Sequence, residues 1–168
     1  PSPMNRLLQG DVGSGKTVVA ALSALAMHWN HCQTACMAPT EVLARQHFET
    51  FTALFARFDD SPAIGFLSSG EAKICYGENL RAKIKKDTFG EKVKKGEIGI
   101  VIGTHALIAG RKNKKALAFK NLGLVIVDEQ HRFGVRQRAE LAGRSLRVSA
   151  SGLRESTLVP HFLSMSAT

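Results

Sequence analysis

The chain has 168 residues, of which 44% are hydrophobic and 22% are charged, and no long tract of it is compositionally biased. This length and apolar content suit a single folded domain and exclude a disordered chain, a collagen-like repeat and a coiled coil. Lysine and arginine outnumber aspartate and glutamate by 23 to 14, and the net charge of +9 favours a polyanionic partner, either nucleic acid or an acidic membrane surface.

Neither a membrane span nor a disulfide framework is indicated. The most apolar stretch, from Val18 to Trp29, is shorter than the roughly 20 residues that cross a bilayer. The first residues lack the basic and then apolar segments of a signal peptide. Cys32, Cys36 and Cys75 have no partner histidines at zinc spacing, so we interpret them as reduced thiols. We therefore expect a cytoplasmic protein.

Short apolar runs alternate with helical stretches along the chain, which is typical of parallel strands joined by crossover helices. Strands are predicted, in chain order, at 6–9, 34–38, 64–67, 98–102, 122–127 and 162–166. Helices are predicted at 16–29, from Glu41 onward, and over the lysine-rich stretch 78–95, with a break at Gly90. The helix that starts at Glu41 has a core-facing stripe of Phe48, Phe51, Phe55 and Phe58. Most predicted strands lack polar alternation, as expected where helices cover both sheet faces. The fold class is therefore α/β, with a mostly parallel central sheet.

A phosphate-binding motif lies between the first predicted strand and the first predicted helix. It matches the pattern G-x-x-x-x-G-K-[ST] with Gly10, Asp11, Val12, Gly13, Ser14, Gly15, Lys16 and Thr17. Its glycines allow successive N–H groups to point at phosphate oxygens beside a helix N-terminus. We expect Lys16 to reach the β- and γ-phosphates and the Thr17 hydroxyl to bind Mg²⁺.

An acidic pair at the end of an apolar strand supplies the second half of such a site. Asp128 and Glu129 directly follow Leu124-Val125-Ile126-Val127. Asp128 is predicted to hold Mg²⁺, directly or through water, and Glu129 to activate a water for attack on the γ-phosphoryl group. An isolated Asp-Glu pair usually only begins a helix, so this prediction depends on the loop. Together they predict nucleoside-triphosphate hydrolysis, with Lys16 and Glu129 as the candidate catalytic residues.

Five short segments carry a resemblance to a known family. They are the loop at 9–17, the segments 38–41 and 103–107, the segment 128–135 beginning Asp128-Glu129-Gln130-His131, and the triplet Ser166-Ala167-Thr168. Together they resemble the RecG family of bacterial ATP-dependent DNA helicases, of superfamily 2, in which the second and third segments are motifs Ia and Ib and the triplet is motif III. The resemblance implies a P-loop NTPase three-layer α/β/α sandwich, the first RecA-like motor domain, over residues 1–168 of a longer protein.

The resemblance also implies roles for further residues. Motifs Ia and Ib of the family contact the DNA backbone, so the candidate DNA-binding residues are Pro39, Thr40, Gly103, Thr104 and His105. Residues that link nucleotide state to DNA grip in the family correspond to Gln130, His131, Ser166, Ala167 and Thr168. The segments at 39–41 and 103–105 remain open to a second interpretation as plain helix caps. The motif III strand is expected between the P-loop strand and the Asp128 strand.

For the parent protein, the resemblance implies ATP-driven remodelling of branched DNA, by fork reversal and Holliday junction migration, in bacterial repair and recombination. The implied cofactors are ATP and Mg²⁺, and the implied partners are branched DNA, a second RecA-like domain and a wedge domain. The segment that recognises adenine in the family is expected upstream of Pro1. Because the arginine finger belongs to the second domain, the isolated fragment is expected to be nearly inactive.

Alternatives remain open on the sequence alone. The motor domain of the transcription-repair coupling factor shares the pattern Asp-Glu-x-His-Arg-Phe-Gly, although Gln130 and Ser14 favour the RecG family. A module that binds nucleotide and DNA without turnover, or a P-loop ATPase acting on protein, would also contain the loop. Two lysine-rich stretches, at 81–95 and 111–120, either face DNA phosphates or are solvated surfaces.

Overall fold

The computed structural model describes residues 2–77, 80–104, 107, 117–129 and 159–167. In these ranges eight strands form one sheet in the order β1-β8-β7-β2-β6-β3-β4-β5. The strands are β1 (Asn5–Gln9), β2 (Gln33–Met37), β3 (Ile64–Leu67), β4 (Ala72–Tyr76), β5 (Leu80–Ile84), β6 (Ile100–Gly103), β7 (Leu122–Asp128) and β8 (His161–Ser166). The helices are α1 (Lys16–Trp29), α2 (Glu41–Phe55) and α3 (Lys86–Lys95).

The sheet is mostly parallel, as the alternation of strands and helices predicts. The six strands from β1 to β3 in the sheet order run parallel, and β4 and β5 extend β3 as an antiparallel ribbon. Helices α1 and α2 pack on one face, and α3 packs on the other. The predicted three-layer α/β/α sandwich is therefore confirmed.

Alternating residues of the central strands supply the two cores. On β7, Leu124 and Ile126 face α1 and α2, whereas Val125 and Val127 face the layer of α3. The same alternation directs Asp128, the next residue, towards α1 and α2. The strand thereby delivers a carboxylate to a defined face at the end of the sheet.

The phenylalanine stripe of α2 is confirmed for three of its four members. Phe48, Phe51 and Phe55 are almost completely buried in the core beneath α2. Phe58 is 36% exposed because α2 ends at Phe55, and its ring lies 6.3 Å from that of Trp29 in an edge-on contact. Phe58 is therefore a surface partner of α1 and not a core residue of α2.

The predicted helix over 78–95 is wrong in its first part. Residues Leu80–Ile84 form β5, which pairs antiparallel with β4, a strand that the sequence analysis missed. The apolar residues of β5 alternate with Arg81 and Lys83, and the backbone of β5 hydrogen-bonds to β4 along the edge that faces that strand. The predicted break at Gly90 is also wrong, because Phe89 and Val93 are both fully buried and hold α3 on the sheet through that position.

Candidate functional site

The candidate nucleotide residues lie at one end of the sheet, where the parallel strands finish. Residue Gln9 of β1 pairs with Ser166 of β8, and Met165 of β8 pairs with Asp128 of β7. Strand β8 thus lies between β1 and β7, which is the predicted position of the motif III strand. Since neighbouring strands are about 4.8 Å apart, the ends of β1 and β7 are separated by roughly 10 Å. We refer to this end of the sheet as the carboxyl end.

The loop after β1 turns directly into α1. Its turn is closed by a hydrogen bond from the Ser14 N–H to the Asp11 carbonyl, 3.2 Å long. Gly13 and Gly15 have φ angles of 83° and 86°, which side-chain-bearing residues rarely adopt. Helix α1 begins at Lys16 with no side-chain cap and no acidic residue in its first turn. A helix start with these features favours an anion.

The Lys16 ammonium is folded back onto the loop. Its Nζ donates hydrogen bonds to the carbonyl oxygens of Gly10, at 2.6 Å, and Asp11, at 2.7 Å. Val12, at the tip of the loop, is 93% exposed. The loop is therefore open to solvent, and a phosphate that recruits Lys16 has to compete with these two carbonyl groups.

The acidic pair lies where β7 ends. The Oδ1 atom of Asp128 accepts a hydrogen bond from the Glu129 N–H at 3.0 Å, and Oδ2 lies 2.7 Å from Nε2 of His47. Glu129 has a φ of 55°, so the chain turns sharply away from the sheet after Asp128. A positive φ is uncommon for a residue other than glycine, and such strain is concentrated at functional sites.

His47 is a neighbour of the candidate site that the sequence analysis missed. It belongs to the buried stripe of α2, between Ala44 and Phe48, and its side chain is 8% exposed. Histidine is uncommon at a fully apolar position, and the sequence signal was its place in a helical stripe otherwise made largely of phenylalanine and alanine.

The thiol of Cys36 is held neutral. Cys36 of β2 is completely buried, and the pKa of its thiol is raised by burial and, to a smaller extent, by the negative charge of Asp128. All three cysteines are free. Cys36 is therefore a packing residue next to the acidic pair and not a nucleophile.

The available donors fit Mg²⁺ rather than a soft metal. The Thr17 hydroxyl and the Asp128 carboxylate are oxygen donors, and Mg²⁺ prefers oxygen and usually keeps several waters. Among the described residues, no group of three or more histidines, cysteines or acidic residues is placed to hold a metal ion by protein ligands alone. A site completed by waters and phosphate oxygens agrees with both observations.

Motif Ia follows β2 at the carboxyl end. Thr40 is the N-cap of α2, and its side-chain oxygen accepts a hydrogen bond from the Leu43 N–H at 3.3 Å. The interpretation of Thr40 as a helix cap is thus confirmed. Capping leaves the adjacent backbone and Pro39 at the same end of the sheet as the loop, where the sequence placed a DNA contact.

Motif Ib follows β6, the other neighbour of β2. The Gly103 carbonyl accepts a hydrogen bond from the Ala38 N–H at 2.9 Å, which joins the two motifs. A Cβ atom on Gly103 would overlap the Leu67 carbonyl oxygen of β3, so packing requires glycine here whatever it binds. Thr104 follows directly, and its carbonyl accepts a hydrogen bond from the Leu107 N–H at 2.9 Å.

The remaining candidates are only partly described. Ser166 ends β8, and its hydroxyl donates to the Ala167 carbonyl at 2.9 Å. Four candidate residues lie outside the described residues, as does most of the second lysine-rich stretch; they are His105, Gln130, His131 and Thr168. In the lysine-rich stretch 81–95, Arg81 pairs with Glu49 at 2.8 Å and Lys92 with Glu97 at 2.6 Å, so part of its positive charge is compensated within the chain.

Within the described ranges, every helix is too short or too polar to span a membrane.

Known proteins resemble this chain in sequence over nearly its whole length. The ATP-dependent DNA helicase RecG of Aquifex aeolicus is 43% identical over 168 residues, which are 99% of this chain and 18% of that protein. RecG of Thermotoga maritima is also 43% identical, over 98% of this chain and 19% of that protein. The chain thus spans about a fifth of the length of these relatives. The resemblance to RecG found in the motifs is confirmed.

A solved structure and a family model agree with this result. The crystal structure of the UvsW helicase from bacteriophage T4 has a TM-score of 0.56 and 19% identity, and it covers 96% of this chain and 46% of that chain. This likeness concerns the fold. The model of the DEAD/DEAH box helicase family matches residues 2–168. The chain therefore belongs to the DEAD/DEAH box helicase family.

Proposed function

We propose that residues 1–168 are the first RecA-like motor domain of a longer, RecG-type ATP-dependent DNA helicase. The observation that carries the proposal is the placement of the loop after β1 and the acidic pair after β7 at one end of the sheet, with only β8 between them. This is the position at which open α/β sheets bind nucleotides. The identity to proteins named RecG favours this helicase over the transcription-repair coupling factor.

In this proposal the loop holds the phosphates of ATP. Backbone N–H groups of the segment that contains Gly10, Asp11, Gly13, Ser14 and Gly15 surround the phosphate oxygens, and Lys16 leaves its two carbonyl partners to bind the β- and γ-phosphates. Thr17 and Asp128 hold Mg²⁺, which neutralises charge on the phosphates when bound. Glu129 orients a water and accepts its proton.

DNA is proposed to lie across the other half of the carboxyl end. Motifs Ia and Ib lie beside each other after β2 and β6, and Pro39, Thr40, Gly103, Thr104 and His105 would contact the sugar-phosphate backbone without sequence preference. Gln130, His131 and the triplet from Ser166 to Thr168 would relay the nucleotide state to these contacts. The whole protein would remodel branched DNA in bacterial repair and recombination, with a second motor domain, a wedge domain and a location in the cytoplasm.

The proposal is tested by separating nucleotide binding from hydrolysis in the full-length protein. Lys16→Ala should weaken binding of a fluorescent ATP analogue, because it removes the cation aimed at the phosphates. Glu129→Gln should keep binding but lower DNA-stimulated phosphate release by about 10²-fold or more. Glu49→Gln, on the exposed side of α2, is the matched control and should change neither. Hydrolysis near the wild-type rate in Glu129→Gln would remove Glu129 as the base, and a full-length protein without turnover would favour a binding module.

A further inference from the structure

The contact between His47 and Asp128 joins the helix of motif Ia to the candidate metal ligand. The two side chains are 8% and 16% exposed, and their Nε2 and Oδ2 atoms are 2.7 Å apart. An ionised carboxylate only accepts hydrogen bonds, so with Asp128 as a Mg²⁺ ligand the contact requires the His47 tautomer that donates from Nε2. Because the pair is largely shielded from water, this hydrogen bond restricts the carboxylate more than an exposed one would.

The Asp128 carboxylate is oriented from two sides. His47 fixes Oδ2, and the Glu129 N–H donates to Oδ1 at 3.0 Å. Rotation of the carboxylate about its terminal torsion angle would lengthen both hydrogen bonds. A metal ligand held in this way loses less conformational entropy when it binds the metal. Residues that hydrogen-bond to metal ligands strongly affect metal affinity.

Helix α2 is itself firmly placed, so His47 is a rigid support. Arg45 binds Glu71, in the turn after β3, at 2.6 Å, and its guanidinium lies 5.0 Å from the centre of the Phe66 ring. The pKa of Glu71 is lowered, first by its hydrogen bond to Arg45 and then by that to Lys73. Thr40 caps the same helix about 10 Å before His47, by the rise of 1.5 Å per residue.

We propose that His47 is a positioning residue, which holds the Asp128 carboxylate in the orientation that binds Mg²⁺ and so links the motif Ia helix to the metal site. The inference rests on the proposed function, because it takes Asp128 as the Mg²⁺ ligand. Its core is the juxtaposition of a buried histidine of α2 with the last residue of β7, 81 positions apart in the chain.

The test measures how much Mg²⁺ is needed for tight binding of a fluorescent ATP analogue. His47→Leu should raise the Mg²⁺ concentration at half-maximal binding about tenfold or more, the usual scale for losing the partner of a metal ligand. His47→Gln should stay within about threefold of the wild type, since the longer amide carries an N–H donor near the position of Nε2. Affinity measured in excess EDTA should be the same in all three proteins, because the loop is unchanged.

Two further variants make the result decisive. His28→Leu removes another histidine that faces an aspartate, at 3.7 Å from Asp60, and should leave the Mg²⁺ midpoint unchanged. His47→Asn keeps an amide that is too short to reach Asp128, so equal midpoints for the Asn and Gln variants would overturn the inference even if His47→Leu fails to fold. A wild-type midpoint in folded His47→Leu would also overturn it. The Lys16→Ala variant separates a failure of this inference from a failure of the proposed function. Normal nucleotide affinity in Lys16→Ala would refute the proposed function. An unchanged Mg²⁺ midpoint in the His47 variants, with weakened nucleotide affinity in Lys16→Ala, would refute only the role of His47.

Discussion

Gln33 is a buried polar side chain whose hydrogen bonds hold together the end of the sheet where the parallel strands begin. It begins β2 and is 4% exposed. Its Nε2 donates to the carbonyls of Val93, at 2.9 Å, and Ile98, at 2.7 Å, and its Oε1 accepts from the N–H groups of Lys120, at 2.8 Å, and Asn121, at 3.2 Å. One side chain thus joins the end of α3, the approach to β6 and the approach to β7.

The effect of Gln33→Leu follows from what each partner retains. The Val93 carbonyl keeps a hydrogen bond from the Gly96 N–H, so its loss is small. The Ile98 carbonyl loses a buried donor, at about 1–3 kcal/mol, and the two N–H groups lie at partly buried positions where water replaces some of the loss. We expect the free energy of unfolding to fall by about 2–4 kcal/mol, which corresponds to a decrease in Tm of roughly 5–15 °C for a chain of this size.

Chemical denaturation followed by circular dichroism measures this change. The matched control is Gln46→Leu, on the exposed side of α2, which should stay within about 0.5 kcal/mol of the wild type. Gln33→Glu gives a signed test, because burial and the two facing carbonyl groups raise the folded-state pKa of its carboxyl group and outweigh the two N–H donors, which lower it. Its stability should therefore be greatest below the unfolded-state pKa and decline as pH rises through the folded-state value. A Gln33→Leu protein as stable as Gln46→Leu would refute the reasoning.

Two further predictions concern stability. Gly90→Ala should raise the free energy of unfolding by about 0.5–1 kcal/mol, because alanine favours a helix more than glycine does and the new Cβ would meet only the Leu117 Cδ1 atom, at an ordinary 3.9 Å. Gly96→Ala should lower the free energy of unfolding by about 1 kcal/mol, because the residue that ends α3 has a φ of 82°. Equal shifts of the two variants in urea denaturation would contradict the helix end at Gly96. Thr34→Val should raise the thermal midpoint or leave it unchanged, because the buried Thr34 hydroxyl has no hydrogen-bond partner among the described residues, and a clear decrease in calorimetry would show that it has one.

The parts of the fold that the sequence predicts are those encoded locally. The loop from Gly10 to Thr17 contains its own turn residues, and the apolar run before Asp128 has no alternation because helices cover both sides of β7. Parallel strands finish at one end of a sheet, so both motifs had to meet there once the fold class was known. Five motifs in order then indicated the family.

The errors arise where pairing partners decide the structure. Leu80, Ala82 and Ile84 alternate with basic residues, a strand pattern, but the lysines around them favoured a helix by intrinsic propensity. Only pairing with β4 resolves this conflict, and nothing within 78–95 specifies that partner. His47 was missed for the same reason, because its significance comes from a residue 81 positions away.

The strand order places the acidic pair and the motif III strand between the candidate phosphate loop and the candidate DNA motifs, where the proposed relay between nucleotide and DNA would lie. The candidate phosphate loop follows β1, and the candidate DNA motifs follow β2 and β6; β8 and β7 are the two strands between them. A path along the carboxyl end from the loop to motif Ia must therefore pass Ser166 and then Asp128. The contact from His47 shortens this path, since it connects α2 to Asp128 directly on the face of the sheet. In the proposed function, a change at the phosphates that moves Asp128 would therefore act on the helix that begins at motif Ia, because β7 pairs directly with β2, the strand that leads into that helix.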